Sequence, residues 1–181
     1  MADPATECVL VIPSIKKAAF IVGGEYGSGV MSCRSADHWS PPIFMQLAKG
    51  SWGLQIGGEQ IDLVLLAMNK RGVDKLLKDK VSLGADASVA AGPLGRSAQA
   101  ATDGQLNAEM LSYSRAQGVF AGVDVSGGML SPNKNANERA YGPSVSPRDV
   151  ITGASRAKAP SEAAAFLQEL RRDARVASHR S

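Results

Sequence analysis

The amino-acid sequence predicts an α+β fold: a mainly antiparallel, curved sheet or partly closed β-barrel with a few flanking helices. Three observations predict it. Between Val81 and Ala91 the side chains alternate, with Val81, Leu83, Ala85, Ala87, Val89 and Ala91 on one side and Ser82, Gly84, Asp86 and Ser88 on the other. A period of two gives a strand one buried and one wet face. Further strand-like segments follow one another through short glycine-bearing connections and do not alternate with helices, which argues against a doubly wound parallel sheet. Finally, the chain has 19 glycines and only 5% aromatic residues, so its core must be built from Val, Leu, Ile and many Ala. At 181 residues it suits one domain with a real core. We assign that domain to residues 1–155, with a linker and a C-terminal amphipathic helix in 156–181.

Taken in order, Cys8–Ile12 reads as a short buried strand that ends at Pro13. Lys17–Gly24 and Gly29–Arg34 read as two strands joined by a hairpin connection, Gly24-Glu25-Tyr26-Gly27-Ser28. Residues 37–42, DHWSPP, read as a loop because two prolines stop both helix and ladder. Ile43–Ala48 and Ser51–Ile56 form a second hairpin across Lys49-Gly50. The eight-residue apolar run Ile61–Met68 is short for a helix and reads as a central strand. Arg71–Lys78 is a short helix. The strand Val81–Ala91 follows and breaks at Gly92-Pro93. Residues 96–105 read as a helical turn or loop. Alternation predicts strands through Leu106, Ala108 and Met110, and again from Val119 to Val125. Ser131–Asn137 reads as a polar loop. Ser146-Pro147 reads as a helix start, with Ser at the N-cap and Pro at the first helical position. Residues 152–160 are a linker. A last helix runs from a capping Ser161 to about Ala174, with Phe166, Leu167 and Leu170 as its apolar stripe.

Groups that could do chemistry are few. Cys8 and Cys33 are the only cysteines and form no metal-ligand motif. Both fall in predicted strands as small buried hydrophobes, and a disulfide between them requires an exported protein. His38 and His179 are the only histidines; the first falls in a loop beside Asp37 and the second in the C-terminal tail. The glycine-rich run 23–29 lacks the Lys-Ser/Thr of a phosphate loop and reads as a turn. Arg96, beside the free amides of Gly92 and Gly95, either binds an anion or pairs with a nearby carboxylate or carbonyl. No apolar run reaches the roughly 18 residues that a membrane-spanning helix needs. No signal peptide is expected from Met1–Ile12, and no metal or cofactor is implied.

Charge is more informative. The net charge is +3, too mild to predict nucleic-acid binding. Residues 70–80, KRGVDKLLKDK, hold five cations and two anions, a surplus equal to that of the whole chain. On a helix, Arg71, Lys75 and Lys78 form a stripe opposite Val73, Leu76 and Leu77. Such a helix can dock on a sheet and show its cations to an anionic surface, or simply be a solvated face with Lys70–Asp74 and Asp74–Lys78 pairs. Lys16 and Lys17 join the patch if they lie on the same side.

Several motifs, in order, resemble the SYLF domain. They are VIPSIKKAAFIVGGEYGSGV (11–30), Trp39-Ser40-Pro41-Pro42, GLQIGGEQIDLVLLAMN (53–69), LGADASVAAGPLGR (83–96), YSRAQGVFAGV (113–123) and NERAYG (137–142). The resemblance covers about residues 8–155, and the bacterial branch of the family fits best. It implies binding of anionic membrane lipids (phosphoinositides in eukaryotic members), F-actin binding in fungal members, and no catalysis. Bacterial members are usually exported. The family's N-terminal amphipathic segment has no counterpart in these residues, so none of its lipid contacts is carried over. Lys16, Lys17, Arg71, Lys75 and Lys78 are an electrostatic expectation. A structural or protein-interaction domain of the cell envelope, with a protein partner in place of lipid, is the competing expectation. An enzyme using His38 and the glycine-rich loops is a third.

Overall fold

A computed structural model of the chain describes residues 7–18, 24–35, 38–49, 61–94, 107–116 and 118–178. Its centre is a curled, largely antiparallel sheet. The strands are β1 (Cys8–Ala18), β2 (Gly24–Ser35), β3 (His38–Trp39), β4 (Ile43–Lys49), β5 (Ile61–Ala67), β6 (Val81–Ser82), β7 (Val89–Ala91), β8 (Met110–Ala116), β9 (Val119–Gly122) and β10 (Met129–Pro132). The main path runs β6-β10-β4-β2-β1-β5-β8-β7, with β3 paired to β2 and β9 to β8. Among the described residues, β7–β8 is the one parallel ladder. The helices are α1 (Lys70–Leu76), α2 (Lys134–Tyr141), α3 (Pro147–Thr152) and α4 (Ala164–Ser178).

Both faces of the sheet are covered. Cys8, Leu10, Ile12, Met31, Met45, Leu63 and Leu65 point into the concave core, which Leu76 of α1 and Val150 and Ile151 of α3 complete. Val9, Leu66, Leu111 and Tyr113 point outwards, where Trp39 and Leu167 and Leu170 of α4 cover them. This two-sided burial explains why β5 is continuously apolar rather than alternating.

The run 81–91 differs most from expectation. It is not one strand. Val81 and Ser82 pair with β10 at one end of the sheet, and Val89–Ala91 pair with β8 at the other. Between them a tight turn forms. Gly84 takes a φ of +89°, which suits a residue without a Cβ. The Gly84 N–H donates to the Ala87 carbonyl, and the Asp86 carboxylate accepts the Ser82 N–H, both at 2.8 Å. Eight flat strands would hold their outermost members about 34 Å apart. The chain from Ser82 to Val89 reaches at most about 25 Å even when straight, so the sheet must curl until its ends approach. Alternation alone does not see the turn, because Gly84 and Asp86 fit the polar side of a strand as well as they fit a turn.

Other expectations change as well. Gly24–Ser28 is not a hairpin connection but part of β2, laddered to β1 and β4. Glycine here permits close approach: a Cβ on Gly29 would sit 2.2 Å from the Val11 carbonyl oxygen. Strand β1 continues through Pro13 because register shifts flank it on both sides, so the missing N–H breaks no regular ladder. The strand expected around Leu106–Met110 begins only at Met110. Residues 131–137 hold the end of β10 and the start of α2, with the Asn133 side chain accepting the Ala136 N–H as N-cap. Ser146 does cap α3, in a full capping box with Asp149. Ser161 caps nothing; a short 3₁₀ turn, Ser161–Ala163, leads into α4. The expected strand Ser51–Ile56 and the segment 96–105 lie outside the described residues.

Cys8 and Cys33 are direct register partners in β1–β2 and form a disulfide, where small buried hydrophobes were expected. Replacing both with alanine in the oxidised protein lowers the unfolding free energy by about 2–4 kcal/mol. Urea denaturation with and without reductant checks this: reductant lowers the midpoint of the parent chain and leaves that of the double variant unchanged.

Candidate functional site

The basic helix α1 starts where Asn69, in extended backbone, accepts the Gly72 N–H at 2.9 Å. Leu76 is buried, and Val73 and Leu77 pack half-buried against the concave core. The helix is therefore docked by its apolar side, as its periodicity predicts. Arg71 is exposed on the other side, and Lys78 is exposed just past the helix, which ends at Leu76.

Lys75 is not displayed with them. Its Nζ donates to both carboxylate oxygens of Glu109, at 2.8 and 2.7 Å, and its side chain is only 30% exposed. Glu109 is itself buried and makes further bonds. Its carboxylate accepts the Ser88 N–H at 3.0 Å, its own N–H donates to the Ser88 hydroxyl at 2.9 Å, and its carbonyl accepts the Met68 N–H at 2.9 Å. One residue thus ties together the end of β5, helix α1, the segment before β7 and the start of β8. The Lys75 hydrogen bonds, aided by the Ser88 N–H and the Lys75 and Arg71 charges, hold the Glu109 carboxyl below the usual carboxylate range against the opposing effect of burial. The expected Lys70–Asp74 and Asp74–Lys78 pairs give way to an ion pair between Asp74 and Arg148 of α3 at 3.2 Å.

Lys16 and Lys17 lie far from α1. Cys8 of β1 pairs with Ala67, just before α1, whereas Lys16 and Lys17 pair with Tyr26 and Glu25 eight and nine residues further along. That places them roughly 25–30 Å away. The five predicted cations therefore fall at two ends of the sheet, with Lys75 withdrawn into an ion pair. Arg96 and His179 lie outside the described residues, as does Asp37, the neighbour proposed for His38. His38 is exposed in β3. Among the described residues, no group of three or more His, Cys, Asp or Glu could hold a metal ion.

A cleft of about 670 Å³ opens beside α2 and the loop into α3. Asp79 and Glu138 line it together with Lys134 and Arg148, so it favours neither sign of charge. Its buried Asn137 is fully used, bonding the Phe44 N–H and carbonyl and the Asn133 carbonyl.

Glu109 is the residue that sequence reasoning missed. Alternation puts it on a wet face between Ala108 and Met110, and its partner lies 34 positions away, so no local spacing connects them.

The family model Ysc84, described as a Las17-binding protein actin regulator, matches residues 48–173. Protein YSC84 of Saccharomyces cerevisiae is 34% identical over 165 residues, covering 89% of this chain and 35% of that protein. LAS seventeen-binding protein 3 of the same species is 35% identical over 148 residues, 80% of this chain and 32% of that protein. The human SH3 domain-containing YSC84-like protein 1 is 34% identical over 146 residues, 80% of this chain and 43% of that protein. The chain thus spans between a third and just over two fifths of the length of these relatives.

Because the carboxyl of Glu109 titrates below its ordinary value, its contribution to stability is present above about pH 4.5 and is lost as pH falls through the lowered folded value. Glu109→Gln is expected to cost about 1–3 kcal/mol at neutral pH. Urea midpoints measured from pH 7 down to pH 3 should converge for the two proteins. A gap that stays constant with pH would show that Glu109 carries no such linkage.

Proposed function

Because this chain belongs to the Ysc84 (SYLF) family of actin-regulator domains, we propose that it is a non-enzymatic module that binds anionic membrane lipids, of the phosphoinositide type that the resemblance implies for eukaryotic relatives. The observation that carries this reading is the arrangement of charge on a committed scaffold. Helix α1 uses its apolar side to dock on the core and leaves Arg71 exposed, with Lys78 exposed just past its end. Lys16 and Lys17 supply a second cationic position at the other end of β1. Lys75 serves lipid binding indirectly, by fixing α1 through Glu109.

Each cation near an anionic surface contributes about 1 kcal/mol. Neither pair anchors the protein alone, and each biases it towards anionic bilayers. The two pairs stand roughly 25–30 Å apart along β1, and bilayer contact is assigned to one of them.

A protein-binding role is the second reading. It is favoured by the description of the matching family as Las17-binding and by the name of the yeast relative. In that reading the same exposed surfaces contact a polypeptide and the chain has no lipid affinity.

Vesicle flotation separates the two. The bound fraction should rise with anionic lipid content and fall with salt. Charge reversal at the membrane-facing pair, either Lys16→Glu/Lys17→Glu or Arg71→Glu/Lys78→Glu, should weaken partition about thirtyfold or more while the other reversal leaves it nearly unchanged. A chain that never floats, or floats equally well in both variants, contradicts the electrostatic proposal.

A further inference from the structure

Among the described residues, the exposed large hydrophobic side chains are Val119 and Phe120, 69% and 39% exposed. They are adjacent, and both belong to β9, all four residues of which are exposed. The β8–β9 hairpin closes where Ala116 pairs with Val119. At Gly118, in the connection, a Cβ would meet nothing within 4 Å, so the turn faces open space. Arg115 is exposed beside it, its guanidinium 5.8 Å from the centre of the Phe120 ring. Folding accounts for none of this exposure, since the cores on both faces of the sheet are complete without these side chains.

The hairpin lies at the same end of the sheet as Lys16 and Lys17. Arg115 pairs in register with Asp62 on β5, Ile61 with Ile15 on β1, Lys16 with Tyr26 on β2, and Glu25 with Lys49 on β4. Among the described residues, register thus places Lys16, Lys17, Lys49 and Arg115 at this end, together with Glu25 and Asp62. The α1 end has cations as well, but its apolar side chains are turned into the core.

We propose that the β8–β9 tip is the membrane-inserting element of this domain: Val119 and Phe120 enter the interfacial zone of an anionic bilayer, and Arg115 meets lipid phosphates above them. This rests on the lipid-binding reading and identifies which end carries it out. The chemistry fits. A narrow apolar projection buries its surface just beneath the headgroups, while an arginine stacked on its ring keeps its charge at phosphate level. The neighbouring basic residues complement the surface potential.

The test uses the whole chain and flotation with phosphatidylcholine vesicles, with and without phosphatidylserine. Val119→Ser/Phe120→Ser removes side chains that belong to neither core, so the variant should stay folded, with a melting temperature within a few degrees of the parent. Its partition onto the anionic vesicles should fall about tenfold or more. Phe120→Trp should keep binding, and its emission should shift to the blue and be quenched by lipids brominated in their acyl chains. If the parent floats and the serine variant floats equally, the tip is not inserted and the lipid-binding reading survives without it. If the parent does not float, both fall. If the serine variant instead loses a concentration-dependent dimer in sedimentation, the tip joins two copies of the chain and the proposal is overturned.

Discussion

The arrangement of this domain depends on one buried carboxylate. Glu109 accepts two hydrogen bonds from Lys75 and one from the backbone of Ser88, and its carbonyl takes the N–H of Met68. Without it, α1 would keep its apolar side and the exposed Asp74–Arg148 ion pair, and the segment leading into β7 would be left with the Met110 N–H to Ser88 carbonyl bond to aim it at β8. The position matters because β6 and β7 sit at opposite ends of the sheet although only six residues separate them. That short connection forces the curl, and the Ser88–Glu109 bonds secure its far side. A buried ion pair is weak grounds for net stability. Its contribution here is to specify which elements meet.

The sheet was legible where hydrophobic pattern and burial agree. The central strand β5 was readable because both of its faces are buried, and the α1 docking side because Val73, Leu76 and Leu77 repeat at helical spacing. The reading failed where one pattern serves two structures. Ser82, Gly84, Asp86 and Ser88 satisfy strand alternation, yet Gly84 and Asp86 make a turn. Glycines 24, 27 and 29 look like loop residues, yet they lie in a strand closely approached by its neighbour. The Lys75–Glu109 pair was not legible at all, because contacts between distant positions leave no mark in local spacing. The same limit governed the cations: the sequence counts five, and only strand register separates them into two ends.

This separation shapes the functional argument. Members of the Ysc84 family are actin-regulator domains, and the scaffold described here presents different surfaces at its two ends. One end combines basic residues with an exposed apolar hairpin. The other displays cations on a helix whose apolar side is already committed.

The central claim, that Glu109 locks four elements into one cooperative unit, is tested most directly by native-state hydrogen exchange. The amides of Ser88 and Met68, both bonded to Glu109, should exchange only through global unfolding, with the same free energy as Leu65 in the middle of β5. Exchange at Ser88 through a local opening several kcal/mol easier than that of Leu65 would mean that the closing segment moves independently, and would contradict the account.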